Sequence, residues 1–352
     1  MLFATRSLAR ITICLCTLLA MGMLLGGCAS TQVVERSREM LAPRLADAYA
    51  RMPDGYRLPL RFWPGKPRKT TNRKIVALGL HGFNDYSEAF APLAMSLAGA
   101  GIATYAVDQR GFGATDLPGR WHGSAQLSAD LAELSRLLRH RHPNARLYLI
   151  GESMGGAVAI DALAKDALPV DGAVLIAPAV WSRNAMPWYQ RLALDTLANI
   201  APGMKLTGEG VSIRPSDNID MLRAMGADPL VIKAPRVDAL WGVTNLMDHA
   251  MDASNALRGP LLILYGERDE IIPRGAFCRM LDRLPGNVRD IRLVLYGDGW
   301  HMLPRDLQSR RVHADLIAWL HDPRAQLPSG EESTPKSERT RNFCSSPSTM
   351  AR

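Results

Sequence analysis

Short apolar runs alternate with amphipathic stretches through the middle of the chain, between residues 54 and 322. Apolar runs of four to eight residues predict strands over residues 56–63, 74–80, 102–107, 147–150, 173–176, 261–265 and 291–296. Helical spacing and good helix formers predict helices over residues 87–97, 124–140, 157–165, 274–284 and 305–320. Strands that alternate with helices predict an α/β fold, a mostly parallel sheet with helices on both faces, whose chemistry lies beyond the carboxyl ends of the strands.

The alternation stops over residues 181–258, a stretch too long for a structureless loop inside a compact domain. It contains two apolar stripes at helical spacing, one formed by Tyr189, Leu192, Ala193, Thr196, Leu197 and Ile200, the other by Val237, Leu240, Trp241, Thr244, Met247 and Met251. We expect an inserted helical cap here, which divides the α/β core into residues 54–180 and 259–322. Either stripe could instead pack on the core.

The first 27 residues have the pattern of a secretory signal. Arg6 and Arg10 precede an uncharged apolar run over residues 11–25, which is shorter than the roughly 20 residues that a membrane span needs. The run ends in Leu-Gly-Gly-Cys, with Cys28 last, and this resembles the lipobox of bacterial lipoproteins. The resemblance implies a signal peptide over residues 1–27, a lipid on Cys28 and, because Ala29 follows it, an outer-membrane location.

Residues 28–53 are polar and weakly helical, and we expect them to be a linker between the membrane and the folded core. Residues 323–352 are rich in Ser, Pro, Arg and Glu, and we expect a disordered tail. The thiols left outside the signal and Cys28 are Cys278 and Cys344, so no disulfide framework is predicted. Cys278 falls in a predicted helix, where we expect a small buried apolar side chain.

The formal net charge of +8 raises the question of an anionic partner. Lys and Arg are scattered, and no helix-turn-helix, zinc-finger or RNA-binding signature accompanies them, so nucleic acid is not expected. Anionic lipid headgroups are the expected partner of the positive excess. The sequence indicates no obligate protein partner.

The run LYLIGESMGGAVAI over residues 147–160 places Ser153 between a predicted buried strand and a predicted helix. A Ser in a strand-to-helix turn, with Gly151, Gly155 and Gly156 allowing the backbone to turn sharply, matches the G-x-S-x-G nucleophile elbow. A Ser hydroxyl needs a base to take its proton and an acid to orient that base. A base and an orienting acid are therefore expected elsewhere in the chain.

His301 follows the predicted strand over residues 291–296, in the loop GDGWHML, where a base should stand. Asp269 follows the preceding strand in the run LLILYGERDEIIP, and it is our candidate for the orienting acid. Glu267 and Glu270 are neighbours that remain alternatives.

Negative charge that develops on a carbonyl oxygen needs prepositioned N–H donors. One donor should be the backbone N–H of Met154, directly after Ser153. The other candidate is the N–H of Phe83, in the loop HGFNDYSEAF after the strand that ends at Leu80. His81, in the same loop, is expected to support the turn by hydrogen bonding.

These segments together resemble the monoacylglycerol lipase and lysophospholipase branch of the α/β-hydrolase superfamily. The segments are HGFNDYS (81–87), DQRGFG (108–113), GESMGG (151–156), GERD (266–269) and WH (300–301), and the resemblance spans about residues 53–322. It implies an α/β-hydrolase fold and a serine hydrolase without cofactor or metal, in which Ser153, Asp269 and His301 are catalytic and a cap covers an acyl pocket. The order Ser, Asp, His along the chain is that of α/β-hydrolases.

The sequence therefore predicts a serine hydrolase that cleaves the esters of single-chain lipids, either monoacylglycerols or lysophospholipids. An acyltransferase or a broad-specificity carboxylesterase could use the same three residues. A non-catalytic envelope lipoprotein is a further alternative, and labelling by a fluorophosphonate probe separates it from the enzymes.

The lipid anchor can be tested by replacing Cys28 with Ala. The variant loses the thiol that carries the lipid, so we expect an uncleaved signal or a misrouted protein. Labelled fatty acid should enter the wild-type protein and be missing from Cys28→Ala. A wild-type protein that fractionates as soluble, or that takes up no fatty acid, would contradict the prediction.

Overall fold

A mixed β-sheet forms the centre of the described part of the chain. The computed structural model describes residues 41–67, 74–165, 167–207, 213–285 and 290–346. The predicted signal peptide and Cys28 lie outside these residues. The strand order is β1-β2-β3-β5-β4-β6-β7-β8-β9-β10. In chain order the strands are β1 (Arg44–Leu45), β2 (Tyr49–Arg51), β3 (Arg57–Trp63), β4 (Ile75–Leu80), β5 (Ile102–Val107), β6 (Arg146–Glu152), β7 (Gly172–Ile176), β8 (Leu261–Gly266), β9 (Ile291–Tyr296) and β10 (Glu332–Ser333).

Helices connect the strands and cover both faces of the sheet. They are α1 (Ala91–Gly99), α2 (Ser124–Arg141), α3 (Met154–Lys165), α4 (Trp188–Ile200), α5 (Ile219–Ala227), α6 (Val237–Ala253), α7 (Arg274–Arg283), α8 (Ser309–His321) and α9 (Glu338–Ser345). Short 3₁₀ turns lie at Ser87–Phe90, Arg183–Ala185, Ser254–Ala256 and Leu303–Arg305.

The strands β4 to β9 pair in parallel, and antiparallel strands are added at both edges. Every residue of β4, β7 and β8 is buried, which explains why these strands are continuous apolar runs: helices cover both of their faces. Leu80 pairs with Gly151, and Gly266 pairs with Tyr296, so the carboxyl ends of neighbouring strands lie level. The predicted α/β fold, a mostly parallel sheet with helices on both faces, is confirmed.

Where the structure describes it, the segment over residues 181–258 contains three α-helices, and its two apolar stripes have different environments. The α6 stripe belongs to the main hydrophobic core, where Val237, Met247 and Met251 are buried and α6 packs against α3. Assigning this helix to a cap was wrong, because helical periodicity shows that one face is apolar but not which surface it meets. On α4, by contrast, Leu192 and Ile200 are 59% and 73% exposed.

The expectation of a disordered tail is wrong for residues 323–346. Strand β10 pairs with β9, and a disulfide joins Cys278 on α7 to Cys344 on α9. Leu327 and Phe343 are buried. These two apolar side chains and the disulfide attach residues 323–346 to the core, although the composition of this segment is otherwise polar. Disulfides that close loops of this length stabilise folded proteins by roughly 2–4 kcal/mol, chiefly by restricting the unfolded chain. The expectation that the chain contains no disulfide is therefore wrong, whereas Cys278 is buried as expected.

The predicted linker also ends earlier than expected. Within residues 41–53, β1 and β2 form an antiparallel extension that pairs with β3, and Ala50 and Met52 are fully buried in the core. Polar neighbours conceal these apolar positions in the sequence. None of the helices in the described residues is both long and apolar enough to cross a membrane.

Candidate active site

Ser153 lies in the turn between β6 and α3, which we call the nucleophile turn (residues 151–155). Its φ angle is +52°, in the left-handed region that costs a non-glycine residue roughly 1–3 kcal/mol. Hydrogen bonds hold it there: its N–H donates to the carbonyl of Ile176 at 2.9 Å, and its own carbonyl accepts from Ala157 and Ala179 at 3.1 and 2.9 Å. The backbone at Ser153 is therefore fixed on both sides.

The turn is possible because two of its residues have no side chain. A Cβ on Gly155 would lie 2.0 Å from the carbonyl oxygen of Leu80, and one on Gly151 would lie 2.5 Å from the carbonyl oxygen of Gly155. Real Cβ atoms do not approach so closely. The start of α3 therefore packs directly against the end of β4.

His301 and Asp269 are in direct contact. The Nδ1 atom of His301 lies 2.8 Å from Oδ2 of Asp269, and both side chains are buried. The other carboxylate oxygen of Asp269 accepts the N–H groups of Ile271 and Ile272 at 2.8 and 2.9 Å. An Asp that accepts the Nδ1–H of a His fixes the tautomer in which Nε2 is free to take a proton.

Opposing effects act on the pKa of His301. Burial lowers this pKa, but the adjacent Asp269 carboxylate and the more distant Glu152 carboxylate favour the charged imidazolium, while Arg305 disfavours it. The net result is a pKa raised above the ordinary value of about 6.5.

The two candidate oxyanion donors, the N–H groups of Met154 and Phe83, come from different segments of the chain. Met154 starts α3, and Phe83 belongs to the oxyanion loop (residues 81–86). The loop comes close to Ser153, because a Cβ built on Gly82 would lie 3.4 Å from Cβ and 3.9 Å from Oγ of Ser153. Within the described residues, neither N–H donates a hydrogen bond.

His81, Glu267 and Glu270, the other candidate residues near the site, make contacts away from His301. His81 supports the oxyanion loop as expected, since its Nδ1 is 2.7 Å from the Gly82 carbonyl and its Nε2 accepts the N–H of Gln109. Glu270 accepts the N–H of Arg214 at 2.7 Å, and Glu267 lies 3.7 Å from Arg339. In the part of the chain that the structure describes, neither glutamate contacts His301.

Ser153 makes no side-chain hydrogen bond to His301 within the described residues, but their loops meet. The guanidinium of Arg305, in the base loop (residues 297–308), lies 3.4 Å from Glu152, which precedes Ser153. Catalytic hydrogen bonds are often long in proteins without substrate. Sequence reasoning missed Arg305 and Glu152, because a lone Arg at a predicted helix start and a Glu inside a motif read as ordinary surface charges.

Residues 214–218, in the segment before α5, brace the base loop. The N–H of Met302 donates to the carbonyl of Pro215 at 3.1 Å, and Ser216 donates to Asp306 at 2.6 Å. Asp306 also accepts the N–H of Trp300, the residue before His301, at 2.8 Å. The segment therefore holds the strand-to-helix connection that carries His301.

Comparison with known proteins finds a matching family model and several similar lipases. The family model Hydrolase_4, described as serine aminopeptidase S33, matches residues 71–308. A monoacylglycerol lipase from Mycolicibacterium smegmatis is 26% identical over 260 residues, covering 71% of this chain and 89% of the relative. The human monoglyceride lipase is 27% identical over 282 residues, covering 76% and 88%.

Solved structures show the same fold. A monoacylglycerol lipase from Paleococcus ferrophilus superposes with a TM-score of 0.62 at 23% identity, over 76% of this chain and 99% of that one. A soluble variant of monoglyceride lipase from Saccharomyces cerevisiae, in complex with a substrate analog, gives a TM-score of 0.66 at 18% identity, over 84% and 98%.

The state of His301 predicts the pH dependence of hydrolysis. A base must be neutral, so kcat/KM for p-nitrophenyl butyrate should rise with pH through a midpoint above about 6.5, since the pKa of His301 is raised. The rate is to be followed at the isosbestic wavelength of p-nitrophenol. A profile that is flat from about pH 5 to 9, or a midpoint below the ordinary value, would contradict a His301 base.

A second group titrates nearby and needs a control. Burial raises the pKa of Asp306 to about 6. The Asp306→Asn variant removes this titration. If His301 sets the rise of kcat/KM with pH (the acid limb of the profile), the variant should keep the wild-type midpoint. A limb that disappears in Asp306→Asn would assign the profile to the loop carboxyl instead.

Proposed function

Since the chain belongs to the Hydrolase_4 family and is a serine ester hydrolase with the α/β-hydrolase fold, we propose that it cleaves the esters of single-chain lipids, monoacylglycerols or lysophospholipids, through an acyl-enzyme on Ser153. The proposal is carried by the buried contact of 2.8 Å between His301 and Asp269, together with the φ of +52° at Ser153 in the turn after β6. The names of the similar lipases support the substrate class.

The proposed reaction has two steps, acylation of Ser153 and hydrolysis of the acyl-enzyme. Oγ of Ser153 attacks the ester carbonyl carbon while its proton passes to Nε2 of His301, and Asp269 stabilises the imidazolium. The N–H groups of Phe83 and Met154 bind the oxyanion. The imidazolium then protonates the leaving alcohol, and an acyl-enzyme remains. Water then attacks the acyl-enzyme carbonyl while neutral His301 takes its proton; the bond to Oγ breaks, the proton passes to Ser153 and the fatty acid is released.

Apolar side chains next to the reacting groups support an acyl substrate. Phe83 of the oxyanion loop, Ile271 of the acid loop (residues 267–273) and Ile232 pack as partly buried residues against the main core. Ile232 comes from the segment between α5 and α6, and its N–H donates to the carbonyl of Asn84 at 2.9 Å. These contacts bring apolar surface from the inserted segment to the oxyanion loop.

We further propose that a lipid on Cys28 tethers the enzyme to the outer membrane, after removal of residues 1–27. The disulfide between Cys278 and Cys344 supports a compartment outside the reducing cytosol. Helix α4 has exposed apolar side chains, which include Trp188 (68% exposed) and Leu192 (59% exposed). Such a surface can contact a lipid bilayer.

The acyl chain provides the sharpest test of the substrate class. Burying one methylene contributes about 0.8 kcal/mol, so extension from butyrate to decanoate should raise kcat/KM by at least about ten-fold, until the apolar site is filled. Monoacylglycerol should be cleaved faster than diacylglycerol, because one site leaves the second chain exposed. The measurement is kcat/KM for p-nitrophenyl butyrate and decanoate and for the two glycerides.

Control reactions separate the proposal from its alternatives. Ser153→Ala should lower kcat by about 10⁴- to 10⁶-fold, since only binding and oxyanion stabilisation remain. Equal rates on butyrate and decanoate, or a preference for diacylglycerol, would contradict a single-chain lipid substrate and favour a broad carboxylesterase. Acyl-glycerol formed with added glycerol would indicate an acyltransferase, and an aminoacyl p-nitroanilide tests the peptidase activity named in the family description.

A further inference from the structure

Three charged side chains form a buried cluster beside the candidate active site. Arg305, Asp85 and Glu152 are each at most 6% exposed. One guanidinium nitrogen of Arg305 lies 2.7 Å from Asp85, and the other lies 3.4 Å from both carboxylate oxygens of Glu152. Burial opposes the charge on Arg305, but the two carboxylates outweigh it and raise the pKa of the guanidinium.

Each member belongs to a different loop of the site. Glu152 ends β6 and directly precedes Ser153. Asp85 follows β4 and lies two residues after Phe83, and Arg305 follows β9 and lies four residues after His301. The cluster therefore connects the loops that carry the nucleophile, an oxyanion donor and the base, which leave the sheet from three different strands.

Backbone hydrogen bonds hold two members of the cluster, Asp85 and Arg305, in place. Asp85 accepts the N–H of Tyr86 at 2.9 Å and donates its own N–H to the carbonyl of Gly82 at 3.3 Å. The carbonyl of Arg305 accepts the side-chain amide of Asn218 at 2.9 Å. If one loop moved, a buried charge would lose its partner. Because water does not reach the cluster, that charge would stay unpaired at a high free-energy cost.

We propose that Arg305 is a positioning residue, which holds the nucleophile turn, the oxyanion loop and the base loop in register by binding Asp85 and Glu152 together. The inference rests on the proposed function of the same site. Arginine suits this task because its planar fork can bind two carboxylates at once, whereas the ammonium of lysine is a single point charge.

The chain contains a matched control for this cluster. Arg110 is also buried, and it contacts Asp130 at 2.7 Å and Asp54 at 2.6 Å. None of these three residues belongs to the loops of the site. Arg305→Lys and Arg110→Lys therefore make the same chemical change at two buried arginines that each bind two carboxylates, one of them at the active edge of the sheet.

We expect Arg305→Lys to lower kcat for p-nitrophenyl butyrate by about 10- to 100-fold, because small misplacements of reacting groups have effects of this size. KM should change by less than about three-fold, and the rate of fluorophosphonate labelling should fall in parallel with kcat. Arg110→Lys should keep kcat within about three-fold of wild type at temperatures well below its Tm. A structural role alone would lower the Tm of both variants and leave both kcat values unchanged.

The pH profile gives a second readout. The charged groups that act on His301 are Asp269, Glu152 and Arg305, with Asp306 nearby in the base loop. Glu152→Gln removes a carboxylate that favours the imidazolium, so the acid limb should move to lower pH and kcat should fall. An unchanged limb with an unchanged kcat would overturn the inference.

If Arg305→Lys does not fold, the triple variant Arg305→Met/Asp85→Asn/Glu152→Gln replaces it. This variant removes all three buried charges together, a change that proteins often tolerate. It should fold and still lose about 10-fold or more in kcat and in labelling rate. A folded triple variant with wild-type kcat would overturn the positioning role.

Labelling separates this inference from the proposed function. If wild-type Ser153 reacts with the fluorophosphonate but the protein cleaves no lipid ester, the substrate proposal fails and the labelling rates still test Arg305. If lipid esters are cleaved and the Arg305 variants label at the wild-type rate, the positioning inference fails alone. A wild-type protein that does not label would overturn both.

Discussion

The close approach of α3 to β4 is the constraint on which the site depends. The carbonyl of Leu80 leaves no room for a side chain at Gly155, so the chain must turn sharply after β6, and Ser153 takes a φ of +52° at the apex. The same approach brings the start of α3, with the N–H of Met154, next to the loop that follows β4. The candidate nucleophile and both candidate oxyanion donors thus come from one packing contact, and the fully buried strands around it supply the rigidity.

Charge burial is the second constraint at this edge of the sheet. His301, Asp269, Asp85, Glu152 and Arg305 are almost entirely removed from water, where unpaired charges are costly. Each is therefore paired, and the pairs connect loops that follow β4, β6, β8 and β9. Removing one partner of such a pair typically costs about 3–5 kcal/mol, so the pairing restricts the loops to one arrangement. The segment over residues 214–218 adds hydrogen bonds to the base loop from the inserted region.

Much of this could be predicted from the sequence where local pattern determines structure. The buried strands are continuous apolar runs, and Asp269 and His301 follow adjacent parallel strands whose ends lie level, so their contact was foreseeable. The cluster around Arg305 was not, because it requires three loops to converge. The pairing of Cys278 with Cys344 depends on the path of a tail whose polar composition hides Leu327 and Phe343. The apolar stripe of α6 was visible, but its partner α3 was not.

The central claim is that Ser153 at this turn forms a covalent acyl-enzyme. It is tested most directly by mixing the enzyme with p-nitrophenyl decanoate, quenching in acid within the first turnover and mapping the modified peptide by mass spectrometry. The account predicts a decanoyl group on Ser153, absent from Ser153→Ala. Release of p-nitrophenol in the first turnover with no acyl group on the protein, or with the group on another residue, would contradict it.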